Sequence, residues 1–214
     1  MAIDETAYVQ ELQAARQRLL SRQLLLPGDT LSCRVPGSGA MLLVSGDATV
    51  SLRIALDGVV ASAADLHRAV YQARPDAGAV LLGRQAWAAA LPEAGGVLPG
   101  VFDEQLRHLG WRVRAMAATA DPARLAAGLR EGANACVLGA KVLCLGTGLE
   151  RLVFNAELLE KCAKAYLLAR ATGMSVRKIP WLVRWIATGR LRRDQRRAAR
   201  SHQRGEAAPR SAGY

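Results

Sequence analysis

The chain has 214 residues, 51% of them hydrophobic, four cysteines and a formal net charge of +11. It is long enough for one domain with a substantial core and too apolar for a disordered chain. The longest apolar runs fall short of the roughly 20 residues of a membrane-spanning helix, the cysteines lack the C-x-x-C spacing of zinc ribbons and thioredoxin-type motifs, and the charged first turns are not expected to act as a secretory leader, so a cytoplasmic protein with reduced thiols is predicted. The charge is uneven: residues 176–214 hold 11 of the 29 Lys and Arg but only 2 of the 18 Asp and Glu. The expectation is a near-neutral domain over residues 1–175 followed by a basic segment over 176–214.

Apolar residues at helical spacing (Tyr8, Leu12, Ala15, Leu19, Leu20) predict a helix over Thr6–Leu25, stopped by Pro27-Gly28-Asp29. Leu31–Val35, Met41–Val44 and Thr49–Leu56 read as antiparallel meander strands separated by glycine turns. Ser62–Ala73 is a predicted helix with Ser62 as its cap, ended by Arg74-Pro75 because the residue before proline avoids helical geometry. A buried strand at Ala77–Leu82 and a short helix at Gln85–Ala90 follow. Gly95–Gly100 reads as a loop, Asp103–Leu109 as a helical turn, Trp111–Ala115 as a strand, and Asp121-Pro122 opens a helix running to about Glu131. Ala135–Leu138 and Lys141–Leu145 are apolar strands around Gly139-Ala140, and Asn155–Thr172 is a long helix stopped at Gly173. Strand runs followed by interspersed helices predict an α+β or a layered α/β/α domain.

Three segments carry a family resemblance: His67–Val80, Val101–Gly110 and the Ala156–Gly173 helix. Together they resemble the class II aldolase/adducin family over roughly residues 8–173. The resemblance implies a mostly antiparallel central sheet flanked by helices, usually assembled as a symmetric homotetramer. It also implies a zinc site built from a His-x-His pair, a third histidine in a turn between two apolar strands, and an acidic residue near the start of the preceding helix.

Here Leu82 and Arg84 stand at the His-x-His positions, Ala140 or Lys141 at the third histidine, and Ala63 at the acid. Leucine has no lone pair and arginine stays protonated, so neither ligates zinc, and no metal or other cofactor is expected. The remaining histidines are His67 in the helix signature, His108 in a surface-like turn and His202 in the basic segment. The family's phosphate rim maps onto Thr30, Ser45, Gly46 and Ser62, although Asp29 in the shortened turn would repel a phosphate. Arg84 and Lys141, replacing ligands that meet at one ion, are candidates to attract a small anion in its place. The resemblance therefore implies a binding or scaffold protein without zinc chemistry, a role with precedent among adducin-type members. The alternative is a lyase, epimerase or decarboxylase on a small phosphorylated or carboxylated sugar-like substrate, with a relocated site drawn from Lys141, Arg84, Asp103 and Glu104.

The basic segment pairs Trp181 with Trp185 and Leu182 with Ile186 at i,i+4 spacing, reaches Gly189, where an interruption is expected, and continues into a run of arginines. Three readings stand: the tryptophans dock on the domain or a neighbouring subunit; the segment lies on an anionic membrane surface; or its arginines grip nucleic-acid phosphates.

Overall fold

The computed structural model describes residues 5–57, 64–173 and 175–209. Positions Ser62 and Ala63 lie outside the described residues. The core is one eight-stranded sheet in the order β3-β2-β1-β4-β8-β7-β6-β5. Its strands are β1 (Thr30–Val35), β2 (Ala40–Ser45), β3 (Leu52–Ala55), β4 (Ala79–Gly83), β5 (Val97–Leu98), β6 (Val113–Met116), β7 (Ala135–Leu138) and β8 (Lys141–Gly146). Only β6 and β7 run parallel; every other neighbour pair is antiparallel. This is the mostly antiparallel, three-layer α/β/α arrangement expected from the sequence.

Both faces of the sheet are covered, which is why β4 and β7 are apolar throughout rather than alternating. On one face, Leu12 and Leu19 of α1 (Glu5–Ser21) and Leu152, Leu159 and Ala163 of α6 (Leu149–Ala171) pack with Leu81, Val142 and Cys144; Ala88 of α3 (Ala86–Ala89) joins them. On the other, Val70 and Tyr71 of α2 (Ala64–Ala73) and Leu125 of α5 (Pro122–Gly128) pack with Val80, Leu82 and Leu143. The helices α4 (Asp103–His108) and α7 (Trp181–Gln203) pack on each other beside this core. All four cysteines are free and buried, and burial pushes the Cys33, Cys136 and Cys162 thiols up to about 12.

Helix α1 stops at Ser21, short of the expected Leu25, and β3 is only Leu52–Ala55 within the expected Thr49–Leu56; four further elements differ from expectation. The Gly95–Gly100 loop contains β5, a two-residue edge strand on β6. Helix α5 stops at Gly128, and Glu131 sits beyond it at φ +64°. Helix α6 begins six residues before Asn155, the expected start; this fully buried amide donates across to the Leu145 carbonyl of β8 at 2.7 Å. Helix α7 runs unbroken through Gly189 because Ala187 and Leu191, on either side of the glycine, are both anchored in the domain. Packing there outweighs the roughly 1 kcal/mol that a glycine costs a helix.

Candidate functional site

Adjacency in the sheet brings together the positions that the resemblance assigns to metal ligands. Thr30 of β1 lies opposite Leu82 of β4, and Leu82 lies opposite Leu143 of β8. The β4–β8 pairing ends at Gly83 and Val142, and one residue further along each strand stand Arg84 and Lys141. Leu82 is buried among Leu138 and Leu143, so it faces packed hydrocarbon. Ala140 is exposed in the preceding turn.

Arg84 and Lys141 both reach the same short turn, Pro27-Gly28-Asp29. The Arg84 backbone N–H and Nε donate to the two Asp29 carboxylate oxygens at 3.1 and 3.0 Å, and its Nη2 donates to the Pro27 carbonyl. Lys141 Nζ donates to the Gly28 carbonyl at 3.3 Å. Asp29 is completely buried, whereas the Arg84 side chain is 48% exposed. Its carboxylate also accepts from the Leu26 N–H at 2.9 Å, so three donors hold the charge.

The predicted rim residues are tied into the same turn. Gly46 N–H donates to the Asp29 carbonyl at 2.8 Å, and a Cβ at Gly46 would stand 2.1 Å from the Leu26 carbonyl, so only glycine allows this approach of the two backbones. The single Ser45 hydroxyl proton has two acceptors in reach, the Asp29 carbonyl at 3.3 Å and the nearer Asp47 carboxylate, whose pKa the latter bond holds below its usual range. Arg16, buried in α1, donates to the carbonyls of Ser45 and Gly46 at 3.0 and 2.8 Å.

Thr30 turns to His67. Its hydroxyl lies 2.8 Å from His67 Nε2, Ser32 Oγ lies 2.7 Å from Nδ1, and the Tyr71 hydroxyl closes the chain on Ser32 at 2.9 Å. Burial, with a smaller push from the Lys141 charge, lowers the His67 pKa to about 3. His67 is thus a neutral bridge pinning α2 to β1. The sequence placed it in a helix signature, and no local spacing reveals its partners 35 and 37 residues away.

The other candidates are elsewhere. At the opposite end of the same strands a groove of about 1110 Å³ opens between the domain and α7, with Arg34, Asp103, Thr147 and Arg151 in its wall. Asp103 is therefore not brought to Lys141. Glu104 stands 3.8 Å from Lys161 on α6. His108 is buried rather than on the surface, its Nδ1 accepts from Arg151 Nη1 at 2.8 Å, and its pKa is held down to about 4 chiefly by burial. His202 is likewise not in solvent: it packs on Gly78 and lies 3.1 Å from the Pro75 carbonyl. Trp181 and Trp185 are 69% and 70% exposed, so they do not dock on their own domain.

A tetrahedral zinc site needs lone pairs from nitrogen, sulfur or oxygen. Leu82 and Arg84 offer none, and the Lys141 ammonium already donates to a carbonyl. Among the described residues no group of three His, Cys, Asp or Glu could hold a metal ion. The donor set at these positions does not fit the metal. Also among the described residues, no helix is long and apolar enough to cross a membrane.

Comparison with known proteins places this geometry. Residues 38–167 match the family model described as Class II Aldolase and Adducin N-terminal domain. A search of curated proteins finds no match. Among solved structures, an L-fuculose 1-phosphate aldolase superposes with a TM-score of 0.75 at 21% identity, covering 90% of this chain and 98% of its own. YgbL from Escherichia coli, titled a putative aldolase/epimerase/decarboxylase, gives 0.70 at 18% identity over 86% of this chain and 99% of its own. The L-fuculose-1-phosphate aldolase of Thermus thermophilus gives 0.64 at 20% over 79% and 97%. At these identities the likeness is one of fold.

Proposed function

The chain belongs to the class II aldolase/adducin family, and from the side chains at its ligand positions we propose that it is a non-catalytic member, an oligomeric binding or scaffold protein that works without zinc. One observation carries this reading: the two cations at those positions are both engaged by the Pro27–Asp29 turn, Arg84 by a buried carboxylate and Lys141 by a carbonyl. Side chains that close a turn in this way serve the fold. Residues 1–175 form the family unit in this reading, and 176–214 are an added basic segment.

A vestigial anion pocket goes with it. Thr30, Ser45, Gly46, Arg84 and Lys141 surround the turn, with Ser62 as a further candidate. An anion taken up here has to displace the bonds from Arg84 and Lys141 to the turn and approach Asp29, so its affinity is low. Titration with inorganic phosphate, read as a shift in melting temperature, tests the pocket. The reading predicts a small stabilisation that disappears in the Arg84→Ala/Lys141→Ala double variant; an unchanged shift in that variant removes the pocket.

The second reading is a lyase, epimerase or decarboxylase with a relocated site. The observation favouring it is the groove at the far end of the sheet, which is large enough for a sugar-sized molecule and has Asp103, Arg34 and Arg151 in its wall. Turnover of a sugar phosphate that is lost in Asp103→Asn and kept in Lys141→Ala would establish it.

A further inference from the structure

Helix α7 has two opposite faces. Ala187, Leu191, Gln195, Ala198 and Ser201 are buried against the domain. That face is anchored by polar contacts: the Gln195 amide donates to Asn134 Oδ1 and to the Gly132 carbonyl, both at 2.9 Å, and Arg107 pairs with Asp194 at 2.6 Å. The helix is fixed in place, so its outer face is a defined surface rather than a mobile tail.

With about 100° of turn per residue, that outer face reads Leu182, Ile186, Gly189, Arg193, Arg196 and Arg200 in steps of four and three, and every one of them is exposed. Trp185 and Arg192 border it on one side and Arg197 on the other, exposed as well. The first half of the face is apolar, with Leu182, Trp185 and Ile186 at 51%, 70% and 47% exposure, and Trp181 beside them at 69%. The second half carries five arginines, and among the described residues none of the five forms an ion pair; the pairs this helix does make use Asp194 and, at its end, Arg204. From Leu182 to Arg200 the strip is about 27 Å long at 1.5 Å per residue.

We infer that the outer face of α7 docks on the surface of an anionic lipid bilayer. Two features point to the same partner. Five unneutralised arginines on one fixed face call for a dense array of negative groups, which phosphate headgroups supply. The tryptophans, leucine and isoleucine continuing the same face call for a partner that also takes up apolar side chains, and the interface between headgroups and acyl chains takes up these types. A nucleic acid satisfies the arginines but leaves Leu182 and Ile186 in water. A second copy meeting face to face in parallel would set arginine against arginine. The inference goes beyond the non-catalytic reading and holds whichever chemistry the rest of the chain performs.

The test uses the full chain and co-sedimentation with vesicles of phosphatidylcholine, with and without phosphatidylserine. The expected result is binding to the mixed vesicles only, with a blue shift of tryptophan emission, and release as salt is raised. Each Arg→Gln on the outer face lowers the partition about fivefold. Trp181→Ser/Trp185→Ser lowers it and abolishes the blue shift, while leaving the salt dependence in place. Arg→Lys at the five positions retains binding, and unchanged melting temperatures show that the variants are folded. The inference is overturned if no vesicle binding occurs at low salt. Binding to single-stranded RNA that survives the tryptophan substitutions, without vesicle binding, overturns it in favour of nucleic acid. A vesicle-independent blue shift that follows protein concentration, again without vesicle binding, overturns it in favour of self-association.

Discussion

Arg84 and Arg193 carry the same charge and do opposite things with it. Arg84 stands over a carboxylate that is completely shielded from water, and its donors are used by that carboxylate and a neighbouring carbonyl. Arg193 stands in water on the outer face of α7, with arginines at 192, 196 and 197, and among the described residues it forms no ion pair. The first region closes its charge into an internal lock; the second keeps its charge open. The difference teaches that a basic residue becomes part of the fold when the chain supplies a desolvated acceptor, and otherwise remains available to a partner.

The strongest attempt to break this contrast is Asp29→Ala. It leaves the Leu26 and Arg84 N–H groups without their acceptor and Arg84 without its counter-charge, so about 3 kcal/mol of stability should be lost, read from urea unfolding. A loss within about 0.5 kcal/mol, the range of ordinary surface substitutions, would mean that the lock is not holding the turn.

Acid should act on the first region and spare the second. His67 is neutral in the fold with its pKa at about 3, against an ordinary value of 6.5. Between those values the unfolded chain binds a proton that the folded chain does not. Stability from this group is therefore complete above about pH 6.5 and falls as the pH drops towards 3, by up to about 1.4 kcal/mol per pH unit. Urea midpoints of the parent and of His67→Gln across that window isolate the contribution; parallel curves would show that His67 is not held neutral.

Arg84→Gln sharpens the comparison at smaller scale. Because the side chain is half in solvent, the ion pair itself is screened, and a cost of about 1 kcal/mol is expected, well below that of removing Asp29. The smallest effect belongs to α7: Arg193→Gln should change stability by less than about 0.5 kcal/mol, although it weakens vesicle binding. A destabilisation equal to that of Arg84→Gln would erase the distinction between the two regions.

Much of the fold was legible because local chemistry agreed with it. The Gly139-Ala140 turn set the inner ends of β7 and β8, and the apolar runs on either side read as strands at once. The start of α6 was set too late, at Asn155, which lies inside the helix and serves a carbonyl of β8, and Gly189 misled because the packing that carries the helix past it comes from the domain. At the site, the family resemblance put Leu82, Arg84 and either Ala140 or Lys141 at the ligand positions, and none of these side chains carries a lone pair for a metal at neutral pH. What spacing could not convey was the role of Asp29. It reads as a charge that repels an anion, and its acceptor role appears only once β4 brings Arg84, 55 residues later in the chain, against it. The His67 bridge to Thr30 and Ser32 was hidden for the same reason.

The central claim is that this family's scaffold persists here with side chains that cannot grip a divalent ion. The most direct measurement is to equilibrate the purified full chain with zinc, remove the excess, and determine both the zinc retained per chain and the melting temperature. The account predicts no stoichiometric zinc and an unmoved melting temperature. Retention of about one zinc per chain, with the melting temperature raised as a ligand of the folded state raises it, would contradict it.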